Sequence, residues 1–391
     1  MNAVPRYLYV HLPWCVRKCP YCDFNSHALR RAEPPEDAYI DALIRDLHFE
    51  IARAGTRAVA SVYFGGGTPS LFSAPAVGRF LATVDRALGF EPDAEITMEA
   101  NPGAADAARF REYRALGVNR LSIGVQSLND AHLSALGRIH DAAQARAAIR
   151  AAQAAGFGNL NLDLMYGLPR QTPEQALADL REAASFGPAH LSWYQLTIEP
   201  NTEFHHAPPP LPAEDDLWRI HEAGLDFLAG AGYAQYEVSA HALGASRCRH
   251  NLNYWQFGDY LGLGAGAHGK QTVAGGNVRR EARHKLPDRY LTLAGESAVV
   301  VESRQLDAGD LVLEFMLNAG RLTDGFESSL FAERTGLGLA ALRRGLDAAA
   351  RRGLVEVDAA HVRPTPLGRR FLNDLLLCFM PDPQQRREAV T

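Results

Sequence analysis

No apolar run approaches the roughly 18 residues a helix needs to cross a bilayer, which excludes a helical membrane span. Met1–Val10 shows no charged segment followed by an apolar core and a small-residue cleavage site, so no export signal is read and a cytoplasmic location is expected. Cysteine is scarce, and an odd count of 5 in such a chain excludes a disulfide framework. A positive excess is missing too. With 40 Lys and Arg against 45 Asp and Glu, the net charge of −5 gives no general affinity for nucleic-acid phosphates. What is present, 47% hydrophobic and 22% charged residues over 391 positions, is the composition of a globular chain of about two to three folding units.

Three of the cysteines stand together in His11-Leu-Pro-Trp-Cys15-Val-Arg-Lys-Cys19-Pro-Tyr-Cys22-Asp-Phe24, a Cys-x3-Cys-x2-Cys spacing directly after a predicted strand. Three thiolates on one loop can hold three irons of a [4Fe–4S] cluster and leave the fourth open to a substrate. A structural zinc site normally takes four ligands, and His11 or Asp23 is available to complete one. Both readings stand on spacing alone.

To about residue 200 the chain alternates short β-type runs with amphipathic helical stretches. Strands are expected at Tyr7–Leu12, Ser61–Phe64, Glu95–Met98, Arg120–Val125, Asn159–Met165 and His190–Thr197. Helices are expected at Glu36–Ala54, Ala74–Ala87, Ala104–Leu116, Asp141–Ala155 and Pro173–Ser185. Serial βα units require a parallel sheet covered by helices, and six units fall short of the eight of a closed barrel. The fold class is therefore α/β, a partial (βα)6 barrel, with a doubly wound sheet as the weaker option.

Glu199–Pro212 reads as an extended connector or lid carrying two exposed loop histidines, His205 and His206, and a helix over Glu214–Ala231 follows it. From Ser303 the pattern turns to helices at Ala308–Ala319, Phe326–Thr335 and Leu339–Arg352. Two short β runs, Leu354–Val357 and His361–Arg363, and a closing helix Pro366–Phe379 complete a winged-helix-like module read as a packing or protein-contact unit. The divisions expected are 1–235, a barrel with the cluster and adenosyl sites; 236–300, a connecting region; and 301–391, the helical module.

Unusual residues gather where predicted strands end: Gly65-Gly66-Gly67-Thr68-Pro69 after Phe64, Glu99 and Asn101-Pro102 after Met98, Gln126-Ser127 after Val125, and Tyr166-Gly167-Leu168-Pro169 after Asp163. In parallel barrels ligands bind at the carboxyl ends of strands, so four such turns in register point to one site. Glycine at 66 and 67 would let a ligand approach the backbone closely. Glu99 and Asp163 suit ribose hydroxyls, while Gln126 and Arg138 suit carboxylate or adenine edges.

The cysteine spacing, Tyr21 before the last cysteine and the Gly65–Pro69 turn resemble the radical SAM superfamily. That resemblance implies a [4Fe–4S] cluster on Cys15, Cys19 and Cys22. S-adenosylmethionine would chelate the open iron, and one electron would cleave its sulfonium to a 5′-deoxyadenosyl radical. The strings Tyr9-Val-His-Leu-Pro-Trp-Cys15, Gly65-Gly-Gly-Thr-Pro-Ser70, Glu99-Ala-Asn-Pro102, Gly124-Val-Gln-Ser127 and Asp163-Leu-Met-Tyr-Gly-Leu-Pro169 are similar to the oxygen-independent coproporphyrinogen III oxidase group, over nearly the whole chain. By position in those strings, adenosylmethionine contacts would fall on Tyr9, Tyr21, Gly66, Gly67, Thr68, Glu99, Gln126, Arg138 and Asp163.

Two features depart from the oxidase. Its pattern has a further cysteine where this chain has Phe24, and a longer segment before the first strand than Met1–Arg6. His250-Asn251-Leu-Asn-Tyr254-Trp255, Cys22-Asp-Phe-Asn-Ser-His27 and Leu191-Ser-Trp-Tyr-Gln-Leu-Thr-Ile-Glu-Pro200 instead resemble the HemW-type haem chaperones. That resemblance implies haem on His250, Asn251, Tyr254 and Trp255; by position Cys248 is an alternative thiolate ligand, and His268 faces the adenosyl ligand or is a second haem contact. From the residues alone, His250 reads rather as a core histidine hydrogen-bonded to backbone beside core aromatics, and only the resemblance reverses that.

The Gly262–Gly269 run lacks the following helix of a dinucleotide fingerprint, so its glycines are expected to let the backbone approach a ligand, such as the adenosyl end. Cys378 is expected to be a buried core thiol. The function these resemblances imply is a haem chaperone passing haem to an acceptor protein, with a reducing donor such as a flavodoxin and a homodimer among the expected partners. Coproporphyrinogen III oxidase is the alternative. A DNA-binding regulator ranks last, because it would need salt-dependent DNA binding.

Overall fold

The structure, a computed structural model, describes residues 6–30, 33–55, 57–358 and 360–380. The segment before the first strand, apart from Arg6, lies outside them. Six strands run parallel in chain order: β1 (Tyr7–Leu12), β2 (Val59–Gly66), β3 (Phe90–Ala100), β4 (Arg120–Gln126), β5 (Asn159–Tyr166) and β6 (His190–Gln195). Between them lie α1 (Glu36–Ala54), α2 (Ala74–Leu88), α3 (Ala104–Ala115), α4 (Ala142–Ala154) and α5 (Pro173–Ser185), and α6 (Glu214–Gly230) follows β6. This is the partial (βα)6 barrel the alternation predicted.

Local chemistry explains the starts. Asp141 with Gln144 and Thr172 with Gln175 form capping boxes at α4 and α5, each satisfying helix N–H groups that have no intrahelical acceptor. Strand residues Leu8, Val10, Val62, Phe64, Met98, Leu121, Ile123, Leu162 and Leu164 are buried in one core against the helices.

The sheet is wider than six strands. A hairpin, β7 (Ala234–Glu237) and β8 (Ala240–Ala242), pairs antiparallel onto β6, and β9 (Leu261–Leu263) pairs parallel onto the far side of β1. The order is β9-β1-β2-β3-β4-β5-β6-β8-β7. Residues 235 and 236, on either side of the first expected division, both lie within β7. Residues 236–300 also supply strands His268–Thr272 and Val278–Arg283 of a three-stranded sheet. Buried Arg283 fastens this region to α1 through Asp46 at 3.2 Å and Glu50. The glycine run has a different reason from the one expected. A Cβ on Gly262 would lie 1.9 Å from the His268 carbonyl oxygen, so glycine there admits the protein's own backbone rather than a ligand.

In the C-terminal module, Ala308–Ala319, Ser328–Thr335 and Ala340–Arg351 are helical and pack with a small sheet of Phe326–Glu327, Val355–Val357 and His361–Pro364. Phe326 is therefore strand, not helix start. The expected closing helix is two, Pro366–Arg370 and Leu372–Leu377, broken at Phe371 where ψ is 51°. Cys378 is half-buried at that end, its thiol donating to the Asp374 carbonyl, so it is not the core thiol expected. The module meets the β7 edge. Leu322 bridges Glu237, the Thr323 N–H donates to the Tyr236 carbonyl at 3.1 Å, and Arg321 pairs with Glu237 at 2.9 Å.

The connector 199–212 is not wholly extended: Glu203–His206 forms a helical turn, with both histidines exposed. The Phe204 N–H donates to the Pro20 carbonyl at 3.1 Å, which ties the segment onto the cysteine loop. Among the described residues no helix is long and apolar enough to cross a membrane.

Candidate functional site

The loop after β1 and the carboxyl ends of β2 to β6 enclose a cavity of about 310 Å³. Cys15, Cys19 and Cys22 line it, as do Tyr21, Gly66, Gly67, Thr68, Glu99, Gln126, Arg138 and Asp163. Eleven of the twelve cluster and adenosyl residues named from sequence therefore share one wall system. Tyr9 is the exception. It lies under Gly65 on β1, its hydroxyl 2.9 Å from His11 Nδ1, and does not line the cavity.

The cysteine loop is held by protein groups on several sides. Thr68 Oγ1 lies 3.5 Å from Cys15 Sγ, and the Asn101 amide donates to Thr68 Oγ1 at 2.6 Å. Arg138 places Nη1 3.6 Å from Cys19 Sγ and donates through Nη2 to Asn101 Oδ1 at 2.6 Å and the Gly124 carbonyl at 2.9 Å. Burial pushes the Cys15 thiol up in pKa, against the Thr68 contact. Arg138 Nε is buried without a hydrogen-bond partner, so this guanidinium has capacity left for a ligand or water.

The glycines serve the frame first. A Cβ on Gly66 (φ +119°) would lie 2.8 Å from the His11 ring, and one on Gly67 would lie 2.5 Å from the Trp14 carbonyl oxygen. Gly66 thus packs against β1 and Gly67 against the cysteine loop, and both also line the cavity.

The carboxylates are positioned from behind. Glu99 accepts from the Tyr63 hydroxyl at 2.8 Å and the Gly66 N–H at 3.2 Å, and burial raises its pKa to about 7. Asp163 accepts from Asn161 at 2.8 Å and Ser122 at 3.0 Å, and burial raises its pKa as well. Gln126 has φ +65°, a left-handed conformation costly for a non-glycine residue, and its Oε1 accepts from the Tyr194 hydroxyl at 2.8 Å. Sequence reading gave no role to Arg17, Ser122, Ser192, Tyr194 or Ser239, which also line the cavity. Tyr194 sits near the end of β6, where position on a strand end was available as a signal, whereas Ser192 lies mid-strand. Ser239, in the β7–β8 turn, carried none.

A sequence profile described as the radical SAM superfamily matches residues 9–183, and one described as the HemN C-terminal domain matches residues 306–371. The chain is 46% identical over 382 residues to the Haemophilus influenzae protein called Heme chaperone HemW, across 97% of this chain and 98% of that one. To the Escherichia coli protein of the same name it is 47% identical over 378 residues, across 97% and 99%. The chain belongs to the HemW family of radical SAM proteins. Similarity extends to a mouse mitochondrial radical S-adenosyl methionine domain-containing protein 1, 36% identical across 97% of this chain and 88% of that one. Among solved structures, E. coli coproporphyrinogen III oxidase (HemN) superposes with a TM-score of 0.80 at 25% identity, covering 96% of this chain and 90% of that one.

The string that resembled the HemW family in sequence, His250 to Trp255, forms a single short helix, α7 (Arg249–Trp255). His250 is fully buried, with Nδ1 2.8 Å from Ser61 Oγ and Nε2 2.7 Å from the Tyr254 hydroxyl. Burial lowers its pKa to about 3, so the ring is neutral with both nitrogens engaged. Its partners are side chains, where the core reading expected backbone. As folded, His250 has no nitrogen to offer iron. Cys248 is equally committed: it is fully buried, donates to Glu95 Oε1 at 3.5 Å and is pushed up to about 12. Asn251 is half-buried on the same helix, and His268 is exposed at the start of its strand. Tyr254 and Trp255 reach a second cavity of about 210 Å³, opposite Lys270 and Arg280, with Arg321 lying 4.4 Å over the Trp255 ring.

Proposed function

We propose that the protein binds haem and passes it to an acceptor protein, using a radical SAM site on the cysteine loop. Near-full-length identity of 46–47% to proteins called Heme chaperone HemW carries the reading. Cys15, Cys19 and Cys22 would hold the [4Fe–4S] cluster. Tyr21, Gly66, Gly67, Thr68, Glu99, Gln126, Arg138 and Asp163 would surround S-adenosylmethionine.

The donor set supports a cluster over a lone zinc ion. Three cysteines suit a cluster, which presents a separate iron to each thiolate, whereas a structural zinc ion takes four ligands. His11, the drafted fourth zinc ligand, has Nδ1 on Tyr9 and Nε2 2.8 Å from the Asn25 carbonyl, and Asp23 is exposed. A cluster bound there supplies single electrons to a coordinated sulfonium. The chain's own groups position the ligand: Glu99 and Asp163 accept from hydroxyls, and Arg138 balances negative charge beside Cys19.

Oxygen-independent coproporphyrinogen III oxidase is the second reading, favoured by the shared fold. Against it stands Phe24, 63% exposed at the cavity wall where the oxidase pattern has cysteine. A cytoplasmic location, an acceptor protein, a flavodoxin-type donor and a homodimer remain part of the proposal.

The test is anaerobic incubation of the reconstituted protein with dithionite, S-adenosylmethionine and coproporphyrinogen III, beside a haem titration followed by the Soret band. Haem binding without protoporphyrinogen formation is expected; turnover without haem binding would restore the oxidase. Replacing Cys15, Cys19 and Cys22 together by alanine is expected to abolish iron–sulfur absorbance and leave the haem Soret band. Retained iron–sulfur absorbance would overturn the ligand assignment.

A further inference from the structure

A third cavity, about 450 Å³, lies between α6, the β7–β8 turn and the Pro366–Leu372 stretch of the C-terminal module. Its size falls in the roughly 300–1,000 Å³ range of small-molecule sites. Trp218, His221 and Leu225 recur at helical spacing along one face of α6, so they present a continuous aromatic and apolar wall. Val238 adds to that wall from the turn, and Arg369 and Arg370 come from the module.

His221 is the only histidine lining this cavity, and it differs from His250 in what its ring leaves over. Nδ1 is 2.9 Å from the Tyr166 hydroxyl, and the ring lies parallel to Trp193, 6° between planes at 6.2 Å. Trp218 flanks it at 5.6 Å. Among the described residues Nε2 has no hydrogen-bond partner. Tyr166 holds the ring through Nδ1 and leaves Nε2 without a protein partner; in the tautomer with the proton on Nδ1, that nitrogen carries a free lone pair, as in a metal-bound histidine whose other nitrogen is held by an outer partner.

The module supplies two cations to this cleft. Arg369 and Arg370 form no ion pair among the described residues, and the Arg370 guanidinium lies 3.5 Å over the Trp218 ring. Guanidinium groups match carboxylates in bidentate geometry. Glu222 and Asp226 reach the exposed rim from α6, which directs anionic ligand groups to the module side.

We infer that this cleft is the haem site: an iron porphyrin carried with His221 Nε2 on the iron, its macrocycle against Leu225 and Val238, and its propionates on Arg369 and Arg370. The inference rests on the haem-binding reading and places the cargo between the barrel and the C-terminal module, away from the α7 string. It explains why a histidine outside every recognised string is braced by one tyrosine and two tryptophans.

The test titrates the full chain with haemin and reads the Soret band. His221→Gly is expected to weaken binding at least about tenfold, the equivalent of ~1.4 kcal/mol, with a shifted band that added imidazole restores. Arg369→Gln, which removes no structural partner, is expected to weaken haemin severalfold and leave haemin dimethyl ester unchanged. A wild-type band and affinity in His221→Gly would overturn the site. So would a loss that imidazole does not rescue in His221→Gly together with an unaltered Arg369→Gln. Failure of the wild-type chain to bind haemin would instead sink the haem-binding reading itself.

Discussion

The Tyr63 hydroxyl donates to Glu99 Oε1 at 2.8 Å, so a carboxylate at the end of β3 is steered into the central cavity by its neighbour on β2. The pair sits where desolvation outweighs that hydrogen bond, and Glu99 ends with a pKa near 7 against an ordinary 4.5.

A pH dependence follows. A carboxyl whose folded pKa is raised binds its proton more tightly folded than unfolded, so its contribution to stability is present below about 4.5 and is lost as pH rises toward 7. Urea unfolding at pH 5 and pH 8 is expected to show that loss in the wild type and not in Glu99→Gln. Equal pH slopes in the two proteins would contradict the raised value. If Glu99 receives ribose hydroxyls as proposed, S-adenosylmethionine affinity is expected to rise over the same interval, because the ionised carboxylate is the better acceptor.

Gly67→Ala tests the frame around the cysteines. A Cβ placed 2.5 Å from the Trp14 carbonyl must push the cysteine loop off β2, at a cost of ~1–3 kcal/mol. The variant is expected to lose iron–sulfur absorbance on reconstitution, whereas Gly158→Ala, with no atom within 4 Å of its Cβ, is expected to behave as wild type. Full cluster loading in Gly67→Ala would show that the loop tolerates the shift.

His250→Ala reads as a stability variant. It strands the buried Ser61 hydroxyl and the Tyr254 hydroxyl and empties an aromatic-walled space, so a loss of ~2–4 kcal/mol is expected in chemical denaturation. An unchanged midpoint would mean that the packing around α7 carries little energy.

Much of this was legible in the sequence. The six parallel strands announce themselves as short apolar runs closed by Gly, Pro or Asn, and the turns that follow them fall in register at one end of the sheet. Spacing alone brought Cys15, Cys19 and Cys22 together. What escaped was non-local. Strand β9 is three residues inside a glycine run and exists only because β1 offers a free side 253 positions away. The bond of His250 to Ser61 joins residues 189 apart, so no local pattern separates a core histidine from a ligand. The Gly66 and Gly67 requirements likewise come from His11 and Trp14, seen only once β1 and β2 are paired. His221 carried no signal at all, since one face of α6 reads as an ordinary amphipathic helix.

The contact between the C-terminal module and β7 has a bearing on solubility. β7 is the last strand of the sheet, and an uncovered outer strand is a template for pairing with another chain. Leu322 and Thr323 occupy part of that template, and the Arg321–Glu237 ion pair sets a charge beside it. Removing the module would leave backbone donors and acceptors of Tyr236 and Glu237 bare, and the barrel alone would tend to assemble edge to edge. The module therefore shields part of this edge from pairing with another chain.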